Sequence, residues 1–135
     1  MITLTDARMT RFWLTLEQGV RFALQCVERM RGGEVFVPKI PSMRLEDLAR
    51  AVAPECDVQC IGIRPGEKLH EVLVSEDEAR HTRDLGDHFV ILPAHSWWPQ
   101  DRDELGTELP EGFSYTSNGN ASWLTDQELR ALLDA

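Results

Sequence analysis

The chain has 135 residues, 42% hydrophobic and 27% charged, which fits one ordinary folded domain with a real core and excludes a disordered or fibrous chain. Its formal net charge of −9 opposes binding to nucleic acid, whose affinity comes from clustered Lys and Arg neutralising phosphates. No apolar run approaches the roughly 18 residues of a membrane span, no basic-then-apolar leader opens the chain, and the odd set Cys26, Cys56 and Cys60 reads as reduced thiols, so a cytoplasmic location is expected.

In chain order, the first 13 residues read as extended. Thr15-Leu16-Glu17-Gln18 then matches a capping box, with Thr15 as N-cap and Gln18 at the third helical position. Leu16, Val20, Ala23, Leu24, Val27 and Met30 continue as a helical stripe that stops against Gly32-Gly33. Residues 34–37 read as a short strand. Ser42 is placed to cap a second helix with Leu45, Leu48, Ala49 and Val52 on its apolar face, closed by Pro54. Residues 58–63 read as another strand, 68–71 as a short polar helix, and 82–92 as a hairpin turning at Leu85-Gly86-Asp87. The acids Glu76-Asp77-Glu78, Asp101, Asp103-Glu104, Glu108 and Glu111 read as a solvated face. From 93 to 120 the Pro, Gly, Asn and acid content and the lack of periodicity predict a long irregular arm, pinned by Trp97 and Trp98. Thr125-Asp126-Gln127-Glu128 is a second capping box opening a terminal helix that presents Leu129, Leu132 and Leu133. The alternation of short strands with helices makes the fold class α/β.

Gly62-Ile63-Arg64-Pro65-Gly66-Glu67-Lys68 carries the most chemistry. Pro65 pushes Arg64 into an extended conformation and Gly66 permits a tight turn. At the carboxyl end of a predicted strand, Arg64 then projects where α/β sheets bind ligands. Its planar fork suits a diphosphate, and Glu67 is placed to accept from ribose hydroxyls. Taken alone, the spacing favours a surface turn with Arg64 paired to Glu67 or Glu71, and Arg11 as a salt-bridged surface residue. His70-Glu71 lacks the second His of a zinc-protease helix, because position 74 is Val74, and Cys56 and Cys60 are too few for a closed zinc site. His81, His88 and His95 fall in strand or loop and form no common motif. The Asn120-Ala121-Ser122 sequon has no export signal beside it. No Gly-x-Gly-x-x-Gly loop occurs, and the single tyrosine, Tyr115, has Gly119 where a Tyr-x-x-x-Lys pair needs lysine.

Three strings, Thr5-Asp6-Ala7-Arg8-Met9-Thr10-Arg11-Phe12-Trp13, Gly33-Glu34-Val35-Phe36-Val37-Pro38-Lys39-Ile40-Pro41-Ser42-Met43 and Gly62-Ile63-Arg64-Pro65-Gly66-Glu67-Lys68-Leu69-His70-Glu71, resemble in order and spacing the C-terminal part of inverting UDP-N-acetylglucosamine 4,6-dehydratases of the pseudaminic acid type. The resemblance is dense over about residues 3–93 and thins to 114–123. It implies the sugar-nucleotide-binding part of an extended short-chain dehydrogenase fold, without the full dinucleotide-binding domain, as one domain over residues 1–135 with the arm at 93–120 inside it. It further implies that Arg11 and Arg64 clamp the diphosphate of a UDP-sugar and that Glu67 meets the ribose; Lys39 lies in a loop near that site without an assigned contact. The reaction so implied oxidises C4 of the sugar with NADP, eliminates water across C5 and C6, and returns the hydride to C6 with inversion at C5. The cofactor and all acid–base residues belong to an N-terminal half absent from these residues. The chain alone is therefore expected to be non-catalytic, with that half and, in the parent enzyme, a homo-oligomer as partners. Exposed apolar surface is expected where that half packs. The alternatives are a non-catalytic binding or oligomerisation module, or the equivalent part of a capsule-polysaccharide dehydratase or a UDP-sugar 4-epimerase.

Overall fold

The structure, a computed structural model, describes residues 1–95, 98 and 106–133. They fall into two compact units, each assembled from separate stretches of chain: Met1–Trp13, Ile40–Glu71 and Thr116–Ala135 form the first, Leu14–Lys39 and Val72–Tyr115 the second.

In the first unit, strand β1 (Ile2–Leu4) pairs with a strand distant in sequence rather than with its neighbour: its partner is β5 (Val58–Cys60), in parallel, with Leu4 opposite Cys60. Strand β2 (Thr10–Phe12) runs antiparallel to β4 (Ser42–Arg44). Helix α2 (Leu45–Val52) follows β4 without a break and packs on α4 (Asp126–Leu133). Leu4, Met9, Met43, Ala49 and Leu129 make the apolar core. Ser42 does not cap α2 as its position before an apolar stripe predicts: the N-cap is Arg44, without a side-chain bond. Pairing claims Ser42 instead, since it is buried in β4, receives the Leu124 N–H on its carbonyl and gives its own N–H to Ser122.

In the second unit, α1 (Leu16–Arg29) opens with the predicted capping box, Thr15 Oγ1 accepting from the Gln18 N–H at 3.2 Å and Gln18 Oε1 from the Thr15 N–H at 3.0 Å. The helix ends on Met30 in extended conformation, not on a left-handed glycine. Gly32 and Gly33, both at positive φ, turn the connection that follows. Strands β3 (Val35–Pro38), β7 (Thr82–Asp84), β8 (His88–Ile91) and β9 (Thr107–Glu108) form an antiparallel sheet in the order β3-β8-β7-β9. The hairpin β7–β8 turns where predicted, with Gly86 at φ 94° and its N–H held by Asp84 Oδ1. The Phe22 and Phe36 rings lie 5.8 and 5.9 Å from buried His88, so α1 and β3 meet on that ring.

Two expectations fail locally. Residues 68–71 are not helical; the short helix is α3 (Glu76–Ala79), five residues later, opened by a Ser75/Glu78 capping box inside the acidic run. The stretch 93–120 is not irregular throughout, since β9 lies in it, as does β10 (Tyr115–Thr116) with β6 (Val72–Val74) as its partner strand. Trp98 is buried in the second unit, whereas Trp97 lies outside the described residues, with Asp101, Asp103 and Glu104. All three cysteines are free. No helix among the described residues is long and apolar enough to cross a membrane.

Candidate functional site

Because β1 and β5 are parallel, their carboxyl ends coincide, and the Ile61 N–H reaches the Leu4 carbonyl at 2.8 Å just past the last paired residues. Two loops leave from this edge. The first, residues 5–9, leads into β2. The second, residues 61–69, carries Arg64 and Glu67, and residues 61–68 are all exposed.

The Arg64 turn is closed from both sides: the Glu67 N–H donates to the Arg64 carbonyl at 3.1 Å, and Glu67 Oε2 accepts from the Arg64 N–H at 3.0 Å. Gly66 stands at φ 87°, a conformation that L side chains rarely adopt, with no heavy atom within 4 Å of where a Cβ would be. The expected pairing of Arg64 with Glu67 or Glu71 does not form through the side chain. Glu67 holds the Arg64 backbone, and Glu71 accepts from the Phe12 N–H at 2.8 Å and lies 3.9 Å from Arg11 Nε. Among the described residues the Arg64 guanidinium has no ion-pair or hydrogen-bond partner.

Arg11 is the opposite case. Its Nη1 donates to the Thr10 carbonyl at 2.7 Å and the Leu69 carbonyl at 3.1 Å, and its Nη2 donates to the Lys68 carbonyl at 3.0 Å and faces Met9 Sδ at 3.7 Å. It thus sits against the end of the loop that bears Arg64. Lys39 belongs to the other unit, 2.6 Å from Asp84 Oδ1 and 4.6 Å above the Phe89 ring.

Behind Arg11 lies a polar network that no sequence pattern announced. Thr10 Oγ1 is 2.8 Å from His70 Nδ1 and 2.7 Å from Ser117 Oγ, which also accepts from the Glu71 N–H at 2.9 Å. Thr10 and Ser117 are buried. Burial without such partners is costly, so the network fixes β2 against residues 69–71. On the first loop, Asp6 accepts from the side chain and backbone of Arg8, and the guanidinium holds its carboxyl down to about 2.

The site is a surface edge. A groove of about 540 Å³ in the same unit is lined by Glu46, Arg50, Asp57 and Arg130 among others, but not by Arg11 or Arg64. A cation that is exposed and unpaired, on a turn of fixed shape at a strand end, is equipped to bind an anion.

A family model for "Polysaccharide biosynthesis protein" matches residues 1–93. The chain is similar to a UDP-N-acetylglucosamine 4,6-dehydratase (inverting) of Campylobacter jejuni, 44% identical over 98% of this chain and 42% of that protein. It is also similar to a UDP-glucose 4-epimerase of Rickettsia canadensis, 36% identical over 67% of this chain and 28% of that protein. Among solved structures, the X-ray structure of Pen from Bacillus thuringiensis superposes with a TM-score of 0.78 at 30% identity, covering 98% of this chain and 39% of that one. These matches bear out the resemblance to the C-terminal part of inverting UDP-N-acetylglucosamine 4,6-dehydratases, and the mixed α/β architecture is consistent with part of an extended short-chain dehydrogenase fold. The chain spans less than half the length of each of these three proteins.

Proposed function

Because the chain belongs to the polysaccharide biosynthesis protein family, we propose that it is the UDP-sugar-binding part of an NADP-dependent, inverting UDP-N-acetylglucosamine 4,6-dehydratase, acting in the cytoplasm in nucleotide-sugar synthesis of the pseudaminic acid type. In this reading Arg64 donates to the diphosphate, Arg11 is the second cation of the clamp, and Glu67 accepts from the ribose. The observation that carries it is the Arg64 guanidinium, without a partner among the described residues, on a closed turn at the carboxyl end of β5. Similarity to two proteins whose names begin with UDP supports the choice of nucleotide. Glu67 keeps one carboxylate oxygen for a ligand, since only Oε2 is used by the turn.

The residues present do not fit NADP. The strand-to-helix junctions among the described residues lie at 12–16, 44–45, 74–76 and 116–126, and only the last holds a glycine, the single Gly119, so none forms the glycine-rich loop that lets a backbone approach a pyrophosphate. The chain by itself is proposed to bind rather than to catalyse.

Calorimetric titration of UDP tests the reading. Each charge-assisted hydrogen bond contributes about 1.5–3 kcal/mol, so Arg64→Ala is expected to weaken UDP binding by roughly 10- to 1,000-fold. Arg64→Lys should recover only part of the loss, since a point charge does not reproduce a planar fork. Equal affinities for wild type and Arg64→Ala would refute the assignment.

A further inference from the structure

We infer that Glu71 is a positioning residue for Arg11: it fixes the Nε side of the guanidinium and so aims the Nη edge that serves the diphosphate. The inference rests on the UDP-binding reading above, in which Arg11 is the second cation of the clamp, and it names the residue that orients that cation.

A carboxylate close to an anion site works against binding, because its charge repels the ligand. Glu71 nevertheless lies 3.9 Å from Arg11 Nε through its Oε1, and it is held there by three hydrogen bonds. Its Oε2 accepts from the Phe12 N–H at 2.8 Å, its own N–H donates to Ser117 Oγ at 2.9 Å, and its carbonyl accepts from the Ser117 N–H at 2.9 Å. Ser117 is buried and its hydroxyl meets that of Thr10, the residue before Arg11, at 2.7 Å. Backbone and carboxylate of Glu71 are thus both tied to β2, and Oε1 is left toward the Arg11 guanidinium. At 3.9 Å the contact is an ion pair rather than a hydrogen bond, so it steers by charge.

The other donors of Arg11 face a different kind of acceptor. Nη1 meets the carbonyls of Thr10 and Leu69, and Nη2 that of Lys68. These carbonyls are neutral. A phosphate oxygen adds the attraction of a full opposite charge to the hydrogen bond, so the Nη donors can pass from carbonyl to phosphate. The attraction at Nε is to a full charge on a fixed residue and outlasts that exchange. It keeps the guanidinium from turning on its flexible stem, and a side chain already oriented loses less freedom when the ligand arrives.

Glu71→Gln separates aiming from mere proximity, because the two predict opposite signs. Glutamine keeps an oxygen for the Phe12 N–H and removes the charge. Calorimetric titration of UDP into the whole chain should show affinity falling by about two- to fivefold, the range of a partly exposed ion pair. If Glu71 were only a nearby negative charge, its removal would tighten binding. In an Arg11→Ala background the loss should disappear, since two residues that act as one unit are not additive. Tighter or unchanged binding in Glu71→Gln, or an equal loss in both backgrounds, would overturn the inference. A second measurement needs no UDP: the NMR order parameter of the Arg11 Nε–H should drop in Glu71→Gln while the melting temperature stays that of wild type. An unmoved order parameter would also overturn it. Glu71→Asp, which keeps the charge on a shorter side chain, should give intermediate effects in both measurements and stands in if Glu71→Gln does not fold. If wild type binds no UDP, the proposed function fails, and the order parameter still decides whether Glu71 holds Arg11.

Discussion

Asp6 and Arg8 show a carboxylate set by its immediate neighbour. The Arg8 side chain, then its N–H, hold the Asp6 carboxyl at about 2, against an ordinary value of 3.8. The group is depressed in the folded chain, so any stability it supplies is present above the ordinary carboxylate range and is lost as pH falls from about 3.8 toward 2. A carboxyl-carbon NMR titration should place its midpoint near 2, and Arg8→Ala should return it toward 3.8; an unmoved midpoint would mean that Arg8 is not the cause. This pair lies within two residues and so is legible in sequence, as is the Arg64-Pro65-Gly66-Glu67 turn, where proline, glycine and acid each have a local role. The donors of Arg11 were not legible. Two of their acceptors are carbonyls 57 and 58 residues away, and a backbone carbonyl leaves no mark in a sequence pattern.

Helix starts were readable to the extent that they are local. Thr15/Gln18 and Thr125/Glu128 are boxes in both sequence and structure. Ser75/Glu78 has the same pattern but sits in an acidic run whose charge dominates a compositional reading. Ser42 was misread because its claimants, Ser122 and Leu124, lie some 80 residues on. At these boxes the Ser75 hydroxyl and N–H lower the Glu78 carboxyl, and the Thr125 N–H and hydroxyl lower that of Glu128. Both groups are depressed, so their help to α3 and α4 is complete above the ordinary glutamate range and fades as pH falls below it. Thr125→Ala should cost α4 about 1 kcal/mol, seen as a lower Tm at neutral pH, and the gap to wild type should narrow in acid once Glu128 is protonated. A gap independent of pH would show that the reciprocal carboxylate bond contributes nothing. Helix α1 differs in kind, because its stripe marks the helix but not the face that is covered. Leu16, Val20, Leu24 and Val27 are 85%, 52%, 63% and 64% exposed, while Phe22 on the opposite face meets His88.

At the scale of the whole molecule, that bare stripe has a measurable consequence, since contiguous exposed apolar surface drives association. The purified chain is expected to bind a hydrophobic dye and to self-associate with rising concentration. Leu24→Glu should reduce both while leaving the fold intact, because the side chain is exposed and Glu is a good helix former. A strictly monomeric wild type that binds no dye would refute this. Periodicity reports that a helix has an apolar side and is silent on what covers it, which is why the stripe was legible and its exposure was not; that apolar surface would be exposed on the chain was an expectation drawn from resemblance, without its place. The division into interleaved units was not legible either, since it depends on β1 finding β5 and on Ser117 meeting Thr10 across 107 residues. This interleaving imposes a timetable on synthesis. The second unit owns no residue beyond Tyr115, whereas the first draws on Thr116–Ala135. As the chain leaves the ribosome, the sheet of the second unit has all its strands while Thr10 and Ser42 in the first still await Ser117, Ser122 and Leu124. The strand edge that carries Arg64 is therefore secured later than the sheet of the second unit, once residues 117–124 have been made.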